Sequence, residues 1–425
     1  MKALFVSLGC DKNTVDSEKI FKRYVDKYGF EICLRPEEAD VVIINTCSFI
    51  RDAKKESVDY IKYFVRLKKE GIIKKILVLG CLVSLNDKTH EYDKLFDDVD
   101  KTLSIENYIE ELDYMNDRMV DVLSFSSSLK ICDGCDKFCS YCIIPYLRGR
   151  FKSVDEKSLI EETKKLARNG VKELSIVGQD ILHYGIDKDI YDRKEKPIVH
   201  LIDEISKIDG IEWIRLLYCY PEEIDDSVIN LIKKNEKVLP YIDMPIQHIN
   251  NRILKLMNRK TSKESIKNII GRLRSEIKDI CIRTTLIVGF PSETDDEFEE
   301  LVDFVREIEF DKLGVFTYSR EKLSKSYDFD NQISENVKKY RKKKILDTQK
   351  KIVDKKNKEK IGIVYNSIVE GRDIKNGFYI VRPYFDARNI DDKVYVKTDE
   401  NLISGSFVNV EIKSVKGYNL IGELI

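Results

Sequence analysis

The stretch Cys135-Asp-Lys-Phe-Cys139-Ser-Tyr-Cys142 puts three thiols into eight residues, and it constrains the chain more than any other feature. Thiolates so close in one loop can take three corners of a four-iron cubane and leave its fourth iron without a protein ligand, a place for chemistry. Cys132 stands three residues earlier, so the run also reads as two CxxC pairs, suited to a closed zinc site or a four-cysteine cluster. A third reading is four small buried residues. The cluster with an open iron leads these readings.

A chain of 425 residues with 42% apolar content supports two to four domains. Residues 1–120 alternate strand and helix patterns as an open parallel α/β sheet does. Strands are expected at Ala3 to Ser7, Asp40 to Asn45 and Lys75 to Leu79, with a helix capped by Asn13 running to Tyr28 and another from Arg51 to Glu70. Each strand runs out at a cysteine. Cys10, Cys47 and Cys81 should therefore lie past the carboxyl ends of parallel strands, where such sheets bind ligands, and there form a second three-thiol set. Cys33, Cys219 and Cys281 read as small buried residues.

Residues 121–330 contain six strand-then-helix units, an incomplete parallel barrel. Their strands are expected near Leu129 to Cys132, Glu173 to Val177, Trp213 to Leu217, Tyr241 to Met244, Ile282 to Val288 and Lys312 to Tyr318. Ser153 with Glu156, Thr261 with Glu264 and Thr294 with Glu297 have the spacing of capping boxes. Barrels of this kind react at the carboxyl ends of their strands. Those positions carry Gly178-Gln179-Asp180, Tyr218 to Pro221, Gln247-His248, Gly289 to Pro291 and Tyr318, and the CxxxCxxC loop follows the first strand.

Residues 331–360 read as a connector: from Val337 to Lys360 there are twelve basic residues and three acids, an amphipathic helix wet on most faces. Residues 361–425 alternate as the strands of a small antiparallel barrel, with breaks at Gly371, Gly377 and Gly405. This tail holds eight basic and nine acidic residues, whereas a barrel that grips RNA should be basic. Its acids, Asp391 and Asp392 among them, are expected to face a basic protein partner. The formal charge of −1 argues against a whole-molecule grip on nucleic acid. Ten cysteines suggest a reducing cytoplasm. The opening Met1 to Cys10 imitates a lipoprotein leader but is too short for one, and no run reaches the ~18 apolar residues of a membrane span.

CxxxCxxC with Tyr141 before its last cysteine resembles the signature of the radical S-adenosylmethionine (SAM) enzymes. In that pattern Cys135, Cys139 and Cys142 are the cluster ligands, SAM chelates the open iron, and Cys132 is not needed. The whole chain is similar to one branch, the methylthiotransferases, which join a three-cysteine sheet domain, a half-barrel and a terminal TRAM barrel. Ser7-Leu-Gly-Cys-Asp-Lys-Asn13 followed by Val15-Asp-Ser-Glu18 resembles the RimO type, as do Asn45-Thr-Cys-Ser-Phe-Ile50, Leu216-Leu-Tyr-Cys-Tyr-Pro221, Met244-Pro-Ile-Gln-His248, Arg283-Thr-Thr-Leu-Ile-Val-Gly-Phe-Pro291 and Gly314-Val-Phe-Thr-Tyr-Ser319.

The resemblance implies two four-iron clusters, one on Cys135, Cys139 and Cys142, the other a sulfur carrier on Cys10, Cys47 and Cys81. It implies SAM as methyl donor and radical source, with Tyr141, Gly178, Gln179, Asp180 and Arg283 as its contacts. The implied product is 3-methylthioaspartate on ribosomal protein S12, with an electron donor such as flavodoxin or ferredoxin, no membrane and no stable tRNA binding. The tRNA-modifying branch usually opens with a Tyr-Gly-Cys-Gln-Met-Asn segment absent here. Where the family tends to carry Glu-Gly-Thr after Tyr318, this chain has Glu321-Lys-Leu-Ser-Lys325. A methylthiotransferase acting on tRNA adenosine and a non-enzymatic iron–sulfur or zinc RNA-binding protein are the alternatives.

Overall fold

Val41-Val-Ile-Ile-Asn-Thr46 is buried at every position, and a strand buried on both faces belongs in the middle of a covered parallel sheet. The computed structural model describes residues 1–112, 117–120, 124–188 and 195–425. In it this run is β3 of a sheet with β1 (Lys2–Ser7), β2 (Glu31–Cys33), β4 (Lys75–Gly80) and β5 (Lys101–Leu103), in the order β2-β1-β3-β4-β5 with every pairing parallel. The three strands read from sequence are thus the adjacent central ones. The short edges β2 and β5 escaped because three residues, mostly exposed, show no period. The expected boundary at 120/121 abuts residues 121–123, which lie outside the described ones.

The helix after β1 is α1 (Asp11–Tyr28). Its cap is Cys10 and not Asn13, whose side chain instead donates to the carbonyls of Leu8 at 2.7 Å and Thr46 at 3.0 Å. Then follow α2 (Arg51–Lys69) and α3 (Cys81–Thr89).

Six parallel strands build the half-barrel. β6 (Ser126–Lys130) opens it, and β7 (Cys132–Asp133) pairs outside it with β8 (Lys152–Ser153). After these come β9 (Glu173–Val177), β10 (Trp213–Leu216), β11 (Val238–Asp243), β12 (Cys281–Val288) and β13 (Lys312–Thr317). Spatial order follows sequence order, β13-β12-β11-β10-β9-β6, as repeated right-handed crossovers demand. Of the three expected capping boxes only Thr294 with Glu297 forms. Ser153 is drawn into β8, its amide bonded to Asp187 at 2.9 Å, leaving Asp155 as cap, and Ser262 displaces Thr261. Where several capping residues adjoin, tertiary pairing chooses among them.

The long helix Glu335–Glu359 is wet on much of its surface, yet it buries a stripe including Ile345, Gln349 and Ile352 against the half-barrel. Arg341 reaches Glu293 at 2.6 Å and Asp295 at 2.7 Å, so the helix is a packed outer layer and not merely a connector. The tail closes into a barrel of β14 (Val364–Asp373), β15 (Phe378–Pro383), β16 (Val394–Val396), β17 (Phe407–Lys416) and β18 (Asn419–Leu424). It is not wholly antiparallel, since β16 pairs with β18 in parallel.

This barrel docks near the strand starts of the half-barrel, away from the cysteine loop. Glu173, the first residue of β9, binds Arg382; Trp213, the first of β10, meets Phe407 with ring centroids 5.0 Å apart. Asp391 accepts from the Tyr241 hydroxyl at 2.9 Å, and Asp392 meets Lys312 at 2.9 Å. Asp391 and Asp392, expected to face a protein partner, are therefore paired across this interface.

Candidate active site

Because β1, β3 and β4 are neighbours, spaced about 4.8 Å apart in a sheet, the loops at their carboxyl ends must adjoin. Cys10 is exposed, while Cys47 and Cys81 are buried. Gly9 makes the approach feasible: its φ of +96° suits glycine, and a Cβ there would stand 2.6 Å from that of Cys47. Burial first, then the charges of Cys81 and Cys10, push the Cys47 thiol up to about 12, against the Phe49 amide that favours the thiolate. Burial also raises Cys81, with Arg148 opposing.

Arg148 ties this loop cluster to the half-barrel. One end donates to Asn13 Oδ1 at 2.9 Å and approaches Cys81 Sγ at 3.9 Å; the other bonds Asp16 and Asp133, each at 2.9 Å. Lys130 completes the buried network, bonding Asp16 and, at 2.8 Å, Asp133. Asp133 is held well below the usual carboxylate range: burial opposes its charge, but Arg148 and Lys130 prevail.

The CxxxCxxC loop is fastened from outside. Asn258 donates to the carbonyls of Lys137 at 3.0 Å and Phe138 at 2.9 Å, and Ser140 bonds Leu256 at 2.7 Å. Burial, with Cys139 and Asp180 nearby, pushes the Cys135 thiol up to about 11 against the Lys137 amide. Cys142 is raised by burial and by Cys139 and Cys135, and lowered by the Ile144 amide and Lys12. Tyr141 packs beside the buried cluster of Ile253, Met257, Phe290 and Tyr318. Cys132 is fully buried behind the loop, its Sγ 2.3 Å from where a Cβ on Gly178 would lie.

Gln179 donates to Asp133 at 3.2 Å. Asp180 is 1% exposed, neither of its oxygens accepts a hydrogen bond among the described residues, and its nearest cation is Lys137 at 3.3 Å. Burial raises it to about 6 despite Lys137. Arg283 lies apart from this group, bound to Asp243 at 3.0 Å and 3.6 Å from Asp391. Asp243 in turn accepts from the Tyr218 amide at 3.3 Å.

The donor set fits iron–sulfur clusters. Backbone amides already face the sulfurs of Cys47, Cys135 and Cys142, the contacts that hold cluster thiolates, and thiols protonated by burial release their protons on binding metal. Among the described residues, the ligand-type atoms gathered within 4.8 Å of one another are those of Asp180, His183 and Glu223. Each cysteine set supplies three thiols, the number that holds a four-iron cubane with one iron left open. A buried carboxylate near Cys135, paired only with Lys137 at 3.3 Å among the described residues, suits the ammonium of SAM.

Lys12 joins the two sets and was missed from sequence. It is 8% exposed, its Nζ is 3.4 Å from the Gly178 carbonyl oxygen and 3.4 Å from the centroid of the Tyr218 ring. Both Cys10 and Cys142 feel its charge. Arg148, Asp133 and Lys137 were also missed. Arg148 had a signal, a cation directly after the apolar run Ile143-Ile-Pro-Tyr-Leu.

Residues 129–305 match the radical SAM superfamily, residues 361–425 the TRAM domain, and residues 2–103 the family described as Uncharacterized protein family UPF0004. The chain is 43% identical to the ribosomal protein uS12 methylthiotransferase RimO of Acetivibrio thermocellus, covering 100% of this chain and 98% of that one. The chain belongs to the RimO methylthiotransferase family. The RimO protein of Clostridioides difficile is 42% identical over 100% of this chain and 99% of its own. Among solved structures, a radical SAM methyltransferase, TsrM of Kitasatospora setae, shares the fold over 77% of each chain, with a TM-score of 0.54 and 14% identity. A RimO-family chain accounts for the order of parts observed here, sheet, half-barrel and small barrel.

The loop Glu321-Lys-Leu-Ser-Lys325, where this chain departs from the family's habit, meets the N-terminal sheet domain. Glu321 binds Lys54, and Lys322 binds Glu91 at 2.7 Å.

Proposed function

We propose that the chain is a radical SAM methylthiotransferase that inserts a methylthio group at the β-carbon of an aspartate of small-subunit ribosomal protein uS12, giving 3-methylthioaspartate. What supports this reading most is the contact between the two cysteine-bearing parts: Lys12, two residues after Cys10, reaches the Gly178 carbonyl oxygen and the Tyr218 ring at 3.4 Å each, and Arg148, just after the CxxxCxxC loop, approaches Cys81 Sγ at 3.9 Å. An aspartate β-C–H bond is unactivated and no side chain removes its proton readily, so the hydrogen must leave to a radical supplied by a cofactor. When bound, two four-iron clusters and SAM supply the radical and the methylated sulfur.

Cys135, Cys139 and Cys142 would hold the cluster that binds SAM, and Cys10, Cys47 and Cys81 the other. Asp180 would receive the SAM ammonium, with Gly178, Gln179 and Tyr141 lining its place. Arg283 acts at one remove: it orients Asp243, which fixes the Tyr218 backbone. The Arg148 network holds the two loops in one register. The sheet, half-barrel and terminal barrel are the three working domains, 1–120, 121–330 and 361–425, joined by 331–360. No helix among the described residues is long and apolar enough to cross a membrane. A cytoplasmic setting, an electron donor of the flavodoxin or ferredoxin kind and no stable tRNA complex complete the proposal.

The test is mass spectrometry after anaerobic incubation of the reconstituted enzyme with SAM, reductant, sulfide and either uS12 or tRNA. The expected product is uS12 carrying one added CH2S on an aspartate. Methylthiolated adenosine with unchanged uS12 would overturn the substrate, and no SAM cleavage at all would overturn the chemistry.

A further inference from the structure

Lys12 is an anomaly among the buried cations. Lys19, Lys130 and Lys338 are buried to a similar degree, and each meets a carboxylate: Glu162 at 2.9 Å, Asp133 at 2.8 Å and Glu335 at 2.8 Å. Lys12 has a carbonyl oxygen and a ring face at 3.4 Å, but no salt bridge among the described residues. A buried ammonium without an anion is costly, because neither a carbonyl dipole nor a π face restores what hydration gave it. Such a charge is tolerated where an anion is to arrive.

The arriving anion must come where the chemistry is. Lys12 lies two residues from Cys10, which is exposed, and its Nζ reaches the Gly178 carbonyl oxygen and the Tyr218 ring at the carboxyl ends of the half-barrel strands. It thus stands where the cysteine-bearing end of the N-terminal sheet meets the half-barrel mouth. We propose that Lys12 binds the side-chain carboxylate of the aspartate to be modified, and so selects an acidic residue for reaction. This rests on the function proposed above. The geometry has a chemical consequence: the β-carbon is bonded directly to the carboxylate carbon, so a carboxylate held by Lys12 leaves the β-carbon where sheet and half-barrel mouth meet. Tyr218, fixed through Asp243, keeps the ammonium from turning away.

The experiment is a cycle of enzyme and substrate variants, using reconstituted holoenzyme with SAM under anaerobic conditions. The aspartate modified by wild-type enzyme is located by mass spectrometry and replaced by Asn in uS12. Dissociation constants of labelled uS12 and its Asn variant are measured with wild type, Lys12→Met, Lys12→Gln and Lys12→Arg, each checked for iron content. Wild type should prefer the Asp form by roughly tenfold to hundredfold, the range of a hydrogen bond to a charged group. Lys12→Met and Lys12→Gln should bind both forms alike, and Lys12→Arg should recover part of the preference. If Lys12→Met keeps the wild-type preference, or loses affinity for both forms equally as a purely structural or cluster-balancing lysine would, the proposal is overturned while the function stands. If wild type leaves uS12 unmodified, both fall.

Discussion

Arg382 on the terminal barrel donates to Glu173 on the half-barrel at 2.9 Å, and Arg215 donates to the same carboxylate oxygen at 3.1 Å. All three side chains are buried. Burial works against the Glu173 charge, but Arg382 and Arg215 overcome it and hold the group at about 2. Removing this anion strands two guanidinium groups, and breaking a buried pair costs about 3–5 kcal/mol. Glu173→Gln should accordingly release the terminal barrel, seen as earlier chemical denaturation and faster proteolysis within 361–425.

The same carboxylate sets an acid limit. Its folded value lies below the ordinary 4.5, so its contribution is complete above pH 4.5 and is lost as pH falls through about 2. Trp213, the single tryptophan, lies against Phe407 of the barrel. Its fluorescence should report undocking in that window, and at higher pH in Glu173→Gln. An unchanged midpoint in the variant would mean that Glu173 does not hold the interface.

Asp391 and Asp392 should part company. Asp391 is 5% exposed on its side chain and accepts from Tyr241 at 2.9 Å and the Ala387 amide at 2.8 Å; Asp392 is 31% exposed and pairs with Lys312. Asp391→Lys should destabilise by about 3 kcal/mol or more, almost independently of salt because the site is buried. Asp392→Lys should cost about 1 kcal/mol or less. Denaturant titrations at low and high salt check both figures.

Gly178 and Cys132 should be coupled. Gly178→Ala places a methyl 2.3 Å from Cys132 Sγ, an overpacking worth about 1–3 kcal/mol. Cys132→Ala should lower stability by about 1 kcal/mol and leave iron content unchanged. The double variant should recover most of the Gly178→Ala loss. Loss of one cluster's iron in Cys132→Ala would instead make Cys132 a ligand.

Metal content separates the two cysteine sets. Reconstituted protein should hold about eight irons, in two four-iron clusters. Replacing Cys10, Cys47 and Cys81 together by Ala should halve that number and abolish methylthiolation. Replacing Cys135, Cys139 and Cys142 should abolish reductive SAM cleavage, and a variant of the second kind that still cleaves SAM refutes the division of labour.

The sequence alone determined the parts: three apolar runs each ending near a cysteine, six strand–helix units in order, and the CxxxCxxC loop. These are legible because each depends on local periodicity and spacing, and because parallel strands joined by right-handed crossovers leave few topologies. Only the tertiary structure decided the pairings. Asn13 cross-links two cysteine loops and does not cap its helix, Asp391 is paired across an interface, and Lys12 reaches from beside Cys10 to Gly178 with no carboxylate of its own among the described residues. Each of these depends on a residue distant in the chain. A charge run in sequence looks the same whether its charges will be solvated or buried in pairs; burial, and the need for each buried charge to find an opposite one, is settled only when the sheets and barrels close on one another.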